Sequence, residues 1–155
     1  MSVLGIDPAT TTGYAYRHNG AWVTGTVSSS IKTRRDIYGM AAVANIARQS
    51  GVTVAAIEDC YLGANVRTLI TLAKIQERWE NVLRERDIET VIVNTMTWKH
   101  ATLTVAGILP KARAEQKKHA IWVAKHVYGA EPKNSDEADA VCIAAWYEAQ
   151  REEIK

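Results

Sequence analysis

Two short apolar runs, each followed by an acidic residue, constrain the fold of this 155-residue chain most strongly. Residues 3–6 (Val-Leu-Gly-Ile) precede Asp7, and residues 52–57 (Val-Thr-Val-Ala-Ala-Ile) precede Glu58. Short apolar runs of this kind are typical of strands that are buried on both faces of a sheet. We therefore expect both acids at the ends of buried strands, where their side chains face a cleft.

A third segment contributes two more acids. Asp136 and Asp139 are three residues apart at the predicted start of a helix, so their side chains share one helix face. Four carboxylates gathered at one point repel each other, because like charges in a protected site cannot all ionise cheaply. A divalent cation relieves that repulsion, and ligand sets made only of oxygen favour Mg²⁺ or Mn²⁺. The pattern is typical of a two-metal phosphodiesterase.

Length and composition indicate one domain that spans residues 1–155. The hydrophobic fraction of 47% and the charged fraction of 23% are ordinary for a globular protein. We find no apolar run long enough to span a membrane and no signal-peptide pattern, and we interpret Cys60 and Cys142 as buried, reduced thiols. We expect a cytoplasmic location, in a bacterial cell or a phage-infected host, and no membrane partner.

Basic residues are concentrated in one part of the chain. Residues 99–126 contain six lysines and arginines against one acid, Glu115, together with three of the four histidines. A basic segment near an acidic cluster fits a polyanionic substrate that is held beside bound cations. A solvated helix face is the alternative interpretation. The six residues are Lys99, Lys111, Arg113, Lys117, Lys118 and Lys125.

The periodicity of apolar residues predicts the element order βββαβαβαα. Asn19-Gly20 is a strong hairpin signal, and Asn134 with Glu137 resembles a helix capping box. This order predicts an α/β fold with a mixed five-stranded sheet and helices on both faces. Residues 94–109 are the least regular and are predicted to form a mobile loop. Strands are expected at 3–7, 14–18, 21–27, 52–58 and 87–93, and helices at 33–49, 65–86, 110–128 and 135–150.

Several motifs together resemble the RuvC-type Holliday junction resolvases, within the ribonuclease H-like nucleases. They are Gly5-Ile6-Asp7-Pro8, Thr12-Gly13-Tyr14, Ala56-Ile57-Glu58 and Asp136-x-x-Asp139-Ala140. The resemblance covers nearly the whole chain, and the predicted order of strands and helices agrees with a ribonuclease H-like fold. The chain departs from the family at Ala9, where glycine is common, and in the segment 94–110.

The resemblance implies a structure-selective endonuclease that resolves four-way DNA junctions and leaves 5′-phosphate and 3′-hydroxyl ends. In this family four carboxylates bind two Mg²⁺ ions, with Mn²⁺ as the expected substitute. The motif match assigns that role to Asp7, Glu58, Asp136 and Asp139.

The resemblance also implies a homodimer, because two paired cuts in one junction need two sites related by a two-fold axis. The predicted helix at 65–86 is the expected interface. Its apolar residues include Leu69, Leu72, Trp79 and Leu83.

DNA contacts follow from the same resemblance. Tyr61 matches the position of an aromatic residue that stacks on a base near the junction centre, a contact worth ~1–3 kcal/mol. Lys99 matches a basic residue near the scissile phosphate, and either Lys117 or Lys118 is the expected second one. Lys111 and Arg113 are further candidates for DNA binding.

Two other functions remain open on the sequence alone. The first is a ribonuclease H-like nuclease that cuts RNA–DNA hybrids, and the second is a module that binds branched nucleic acid without cutting it. The acidic quartet argues against the second, because a module that does not cut has no need to bear the repulsion. The cut-site preference and any motor protein partner are not identified by the sequence.

Overall fold

The structure, a computed structural model, describes residues 2–60, 63, 65–104 and 109–154. Its five strands are β1 Val3–Asp7, β2 Thr11–His18, β3 Ala21–Ser28, β4 Val54–Glu58 and β5 Glu89–Val93. Its helices are α1 Asp36–Gln49, α2 Val66–Arg84, α3 Thr95–Leu103, α4 Arg113–His126 and α5 Ser135–Ile154.

The strands form one mixed sheet in the order β3-β2-β1-β4-β5. Strands β1 to β3 make an antiparallel meander, whereas β4 and β5 run parallel to β1. Asn19 and Gly20 join β2 to β3 with φ values of 51° and 79°, the left-handed conformation that a two-residue hairpin turn requires. The predicted α/β fold with its mixed five-stranded sheet is confirmed.

Helices cover both faces of the sheet, and strand alternation decides which residue faces which layer. Leu4 and Ile6 of β1 pack in the core beneath α1 and α2. Val3 belongs to the opposite core, which is formed with α3, α4 and α5. Asp7 lies four residues after Val3 on the same strand, and this even number places its side chain on the same face, the α5 face.

Two glycines allow α5 to lie directly on the sheet. A Cβ added at Gly5 would stand 2.1 Å from the backbone oxygen of Ala140, and one at Gly13 would stand 2.0 Å from that of Asp136. Any side chain at either position would therefore push the helix away. Gly13 is the register partner of Asp7, so this contact places the first turn of α5 beside the end of β1.

The interpretation of residues 94–109 as an irregular loop is wrong for its first part, because Thr95–Leu103 forms α3. Asn94 caps this helix, since its Oδ1 accepts hydrogen bonds from the backbone N–H of Met96 at 3.0 Å and of Thr97 at 3.3 Å. The helix is too short to show apolar periodicity, and its threonines are weak helix formers. The described order is therefore βββαβαβααα.

The predicted pairing of Asn134 with Glu137 at the start of α5 is present, although the Glu137 carboxylate accepts from the backbone N–H of Lys133, at 3.5 Å, where a capping box would use that of Asn134. Asn134 Oδ1 accepts a hydrogen bond from the Glu137 backbone N–H at 2.9 Å. The Glu137 carboxylate is buried and accepts a hydrogen bond from Thr24 Oγ1 at 2.6 Å. These contacts join α5 to β3 and leave Glu137 with a structural role.

Helix α2 requires a correction to the expected interface. Trp79 and Leu83 are fully buried within the monomer, so they cannot contact a second subunit. Apolar periodicity marks the buried face of a helix without saying whether the same chain or a partner covers it. The N-terminal half of α2 exposes Val66 and Ile70 instead, at 63% and 48%.

None of the helices in the described part of the chain is long and apolar enough to cross a membrane.

Candidate active site

Asp7 and Glu58 end two adjacent parallel strands at one edge of the sheet. Ile6 is the register partner of Ile57, so the two acids occupy the next step of the same ladder. Side chains one residue beyond Ile6 and Ile57 point to the opposite face, which is the face covered by α5. The backbone alone therefore directs both carboxylates to the same side of the sheet.

Asp136 and Asp139 reach this edge from α5. Asp136 lies in the first turn of the helix, and Asp139 follows one turn later on the same face. The contact of α5 with Gly13 fixes the position of that turn along the strands of the sheet. All four predicted acids are partly buried.

The pKa of Asp7 shows that the four acids influence one another. Burial raises the pKa of Asp7 well above its usual value, and the negative charges of Glu58, Asp139 and Asp136 raise it further. Lys99 acts in the opposite direction and lowers it. The negative charges of all three other acids therefore act on Asp7.

Asp139 is affected in the same way. Burial, followed by the charges of Glu58 and Asp136, raises its pKa to about 7, whereas Lys99 and Lys117 lower it. Burial also raises the pKa of Asp136, and Lys117 lowers that one. The electrostatic potential around these acids therefore favours the binding of additional positive charge.

Glu58 is held by residues of α3. Burial raises its pKa, and the hydrogen bond from Thr95 Oγ1 to Glu58 Oε1, at 2.8 Å, lowers it, as do the charge of Lys99 and the indole of Trp98. The Trp98 Nε1 is buried and has no hydrogen-bond partner among the described residues, so it is available to the Glu58 carboxylate or to a ligand. Because Thr95, Trp98 and Lys99 are three and four residues apart, one face of α3 presents all of them to Glu58.

The sequence pattern does not identify Thr95 or Trp98 as part of the site, because it predicts a loop for residues 94–109. One signal was available. Asn94 followed by threonines, directly after a predicted strand, is a possible helix start, and that start would have placed residues 95, 98 and 99 on one face.

The structure separates the predicted basic residues. Lys99 and Lys117 both lower the pKa of acids in the cluster. Lys118 is exposed and pairs instead with Glu115 at 3.5 Å. Lys111 and Arg113 are exposed beside the start of α4. Tyr61 lies outside the described residues.

The cluster fits divalent cations in its charge and its donor atoms. Its four side chains offer oxygen only, the donor type that Mg²⁺ and Mn²⁺ prefer, and each pKa is raised in a direction that a bound cation would reverse. Among the described residues, no group of three or more His, Cys, Asp or Glu side chains is arranged to hold one ion. The fit therefore rests on the charge and the donor atoms of the four acids and not on a preassembled coordination shell.

Comparisons with known proteins agree with this architecture. Thermus thermophilus RuvC in complex with a Holliday junction substrate superimposes with a TM-score of 0.73 at 17% identity, covering 97% of this chain and 96% of that one. Another Thermus thermophilus RuvC structure gives 0.71 at 20% identity, with 97% of each chain covered.

The Fowlpox virus resolvase in complex with Holliday junction DNA is more distant. It gives a TM-score of 0.53 at 12% identity, covering 96% of this chain and 99% of that one. At these identities the superpositions show the shared fold. No curated protein matches the chain by sequence. Residues 3–147 match the family described as Crossover junction endodeoxyribonuclease RuvC, and the chain belongs to that family.

Proposed function

We propose that this chain resolves four-way DNA junctions by hydrolysing phosphodiesters at the edge of the sheet where Asp7 lies, leaving 5′-phosphate and 3′-hydroxyl ends. The observation that carries the proposal is that the ends of the parallel strands β1 and β4 and the first turn of α5 bring four acids to one place, where burial and the other three charges raise the pKa of Asp7. A cluster that favours added cations, flanked by lysines, is suited to a phosphate substrate.

Each acid has a defined part in this proposal. Asp7, Glu58, Asp136 and Asp139 would hold two Mg²⁺ ions, or Mn²⁺ in their place. When bound, such a pair lowers the pKa of water and stabilises the leaving oxygen of an in-line displacement. The chemistry requires no nucleophilic side chain.

Lys99 and Lys117 supply fixed positive charge beside the cluster. Lys99 lowers the pKa of Asp7, Glu58 and Asp139, so its charge acts on the centre of the site. Lys117 acts on the two acids of α5. Both charges attract and orient a phosphate that approaches the acids, and they persist when the substrate leaves. We assign the second phosphate contact to Lys117 and not to Lys118.

The remaining predicted DNA contacts belong to the same proposal. Lys111 and Arg113 would bind backbone phosphates beside α4, and Tyr61 would stack on an unpaired base at the junction centre. Their effect is on affinity and on recognition of the branch. Hydrolysis itself is assigned to the acids.

The proposal includes a homodimer that is joined through the N-terminal half of α2. Two symmetric cuts need two sites that face one substrate, and a two-fold dimer provides them. Val66 and Ile70 are exposed apolar side chains one turn apart, which is the arrangement expected of a helix that packs on its own copy.

A substrate panel tests the proposed function. The protein is incubated with Mg²⁺ and with labelled four-way junction, linear duplex or RNA–DNA hybrid of matched sequence, and the products are sized. We expect paired cuts near the junction centre, little cutting of duplex, and none by Asp7→Asn. Preferential cutting of the hybrid would assign the chain to ribonuclease H activity. Selective junction binding without cutting, in Mg²⁺ and in Mn²⁺, would identify the chain as a module that binds branched DNA without cutting it.

A further inference from the structure

We propose that residues 29–35, between β3 and α1, bind the backbone phosphates of one duplex arm of a branched DNA. This inference rests on the proposed function and adds a second DNA-binding surface to it. The segment contains three cationic residues, Lys32, Arg34 and Arg35, that the motif match leaves without a role. We refer to residues 29–35 as the β3–α1 segment.

The β3–α1 segment lies at the same edge of the sheet as the acids. Ser28, at the end of β3, is the register partner of Thr11, and the backbone N–H of Ser29 donates to the Thr10 oxygen at 2.7 Å. Thr10 is three residues beyond Asp7. The segment therefore begins beside the turn that follows Asp7.

The segment and the lysines near the acids lie on opposite flanks of the site. Strands β3 and β5 are the two outer strands of the sheet, and β2, β1 and β4 lie between them. Lys99 follows β5 on α3, whereas the β3–α1 segment follows β3. The acids at the ends of β1 and β4 thus have basic residues on both sides.

Arg78 of α2 anchors the backbone of the segment. Its Nη1 donates to the carbonyl oxygens of Ser30 at 2.9 Å and Thr33 at 3.2 Å, and its Nη2 donates to that of Ile31 at 3.4 Å. The same Nη1 also contacts Asp36 Oδ2 at 2.8 Å. Three carbonyls hydrogen-bonded to one guanidinium hold the backbone of the segment in place. The positions from which its side chains project are therefore fixed.

The three cationic side chains are available to a ligand. Lys32, Arg34 and Arg35 are exposed, and no described residue forms an ion pair with any of them. Asp36, the acid that follows them, is buried and already paired with Arg78. Their positive charge is therefore not neutralised within the described chain.

Charge complementarity identifies the occupant as a phosphate backbone, and the position identifies it as an arm of branched DNA. A linear duplex that passes the acids can be held from the β5 flank alone. The arms of a four-way junction leave its centre in different directions, so a junction centred on the acids extends over both flanks. Tyr38, 80% exposed one turn into α1, adds a flat ring beside the same surface.

A salt titration of binding tests this inference. Lys32, Arg34 and Arg35 are replaced together by Ala in the Asp7→Asn background, so that no cutting interferes, and affinities for junction and linear duplex are measured between 50 and 200 mM salt. The logarithm of the association constant falls linearly with the logarithm of the salt concentration, and each phosphate contact adds about 0.9 to the steepness of that slope. We expect the junction slope to fall by about 2–3 and the junction affinity at low salt to fall roughly ten- to several-hundredfold. The loss for linear duplex should be much smaller.

Two controls separate this effect from others. The charge-preserving variant Lys32→Arg/Arg34→Lys/Arg35→Lys should bind like the parent, and Arg48→Ala/Arg84→Ala, which removes exposed charges at the C-terminal ends of α1 and α2, should leave the junction slope unchanged. The unfolding midpoint and the oligomeric state of the triple Ala variant should equal those of the parent.

An unchanged junction slope overturns the inference, and so does an equal loss on junction and duplex. The proposed function fails separately, when the unsubstituted chain binds junctions but does not cut them. In that case the slope still decides whether the β3–α1 segment binds DNA.

Discussion

The hydroxyl of Thr95 donates a hydrogen bond to Glu58 Oε1 at 2.8 Å, and this bond connects the first turn of α3 to the acid at the end of β4. It restricts the orientation of the carboxylate that we propose as a cation ligand. Removing such a supporting partner typically weakens metal binding about 10- to 100-fold. We predict that loss for Thr95→Val, measured by calorimetric titration with Mn²⁺ in the absence of DNA.

Thr95→Ser keeps the donor and should bind Mn²⁺ like the parent. In the Glu58→Gln background, Thr95→Val should cause no further loss, because the group that it positions is already gone. Equal metal affinity in the Val and parent proteins would show that the hydrogen bond has no part in holding the cation. Weak binding by the Ser variant would point to a packing defect.

Replacing the acids tests their assignment directly. Asp7→Asn, Glu58→Gln and Asp139→Asn each remove one negative charge with little change in size, so cleavage should fall below detection. Junction affinity should stay within about threefold of the parent, because phosphate contacts come from the basic residues. Cleavage rates and binding are measured on the same junction. A variant that cuts at the parental rate would exclude that residue as a cation ligand.

The raised pKa of Asp139 predicts how stability depends on pH. Burial and neighbouring acids raise this pKa from 3.8 to about 7, so the folded protein binds the proton more tightly than the unfolded chain does. That stabilisation is complete below about pH 4 and is lost as the pH rises through about 7. In EDTA, the free energy of unfolding should therefore fall more between pH 5 and pH 8 in the parent than in Asp139→Asn.

Added Mg²⁺ should offset this loss at pH 8, because a ligand that binds only the folded state stabilises it. Mg²⁺ should have little effect at pH 5, where protons compete for the carboxylates. Urea unfolding with and without Mg²⁺ at both pH values provides the measurement. Identical pH dependence in the parent and Asp139→Asn would contradict the assignment of the shift to this residue.

Lys117 and Lys118 form a natural pair of matched variants. Lys117 lowers the pKa of Asp136 and Asp139, whereas Lys118 pairs with Glu115. We predict that Lys117→Ala reduces the single-turnover cleavage rate at least tenfold, because a preorganised charge near the reacting phosphate is lost. Lys118→Ala should change it less than threefold. The opposite order of effects would transfer the phosphate contact to Lys118.

The exposed face of α2 predicts the effect of a charge at the proposed dimer interface. Ile70→Glu places a carboxylate where a partner helix would pack, so the dimer should dissociate at micromolar concentration. Ile46→Glu is the control, since Ile46 is similarly exposed, at 55%, but lies on α1. Sedimentation velocity distinguishes a 17.1 kDa species from its dimer. Parental sedimentation of Ile70→Glu would remove α2 from the interface.

Much of this fold was predictable because its strands have simple signals. Buried runs with an acid at the end, the Asn19-Gly20 turn and the capping pair Asn134 and Glu137 each encode their structure locally. Helix α3 was missed because nine residues give too little periodicity to outweigh their threonines. Contacts between distant segments, such as that of Thr95 with Glu58, have no local signal at all.

The division of α2 between core and surface was unpredictable for a similar reason. Trp79 and Leu83 have the apolar spacing expected of either a core or an interface. Their burial depends on how α2 meets the sheet and α1, which is a property of the assembled fold. The same holds for Lys117 and Lys118, which are adjacent in sequence and differ only in the direction that helix α4 gives them.

The seating of α5 on Gly5 and Gly13 has a consequence for how this chain can diverge. Helix α5 contacts β1, β2, β3 and β4, so the sheet, and not the preceding chain, determines where Asp136 and Asp139 stand. The connection between α3 and α4, residues 104–112, can then change in length without changing the spacing between those acids and Asp7. Substrate preference, which such a segment would influence, is thereby free to evolve while hydrolysis is retained.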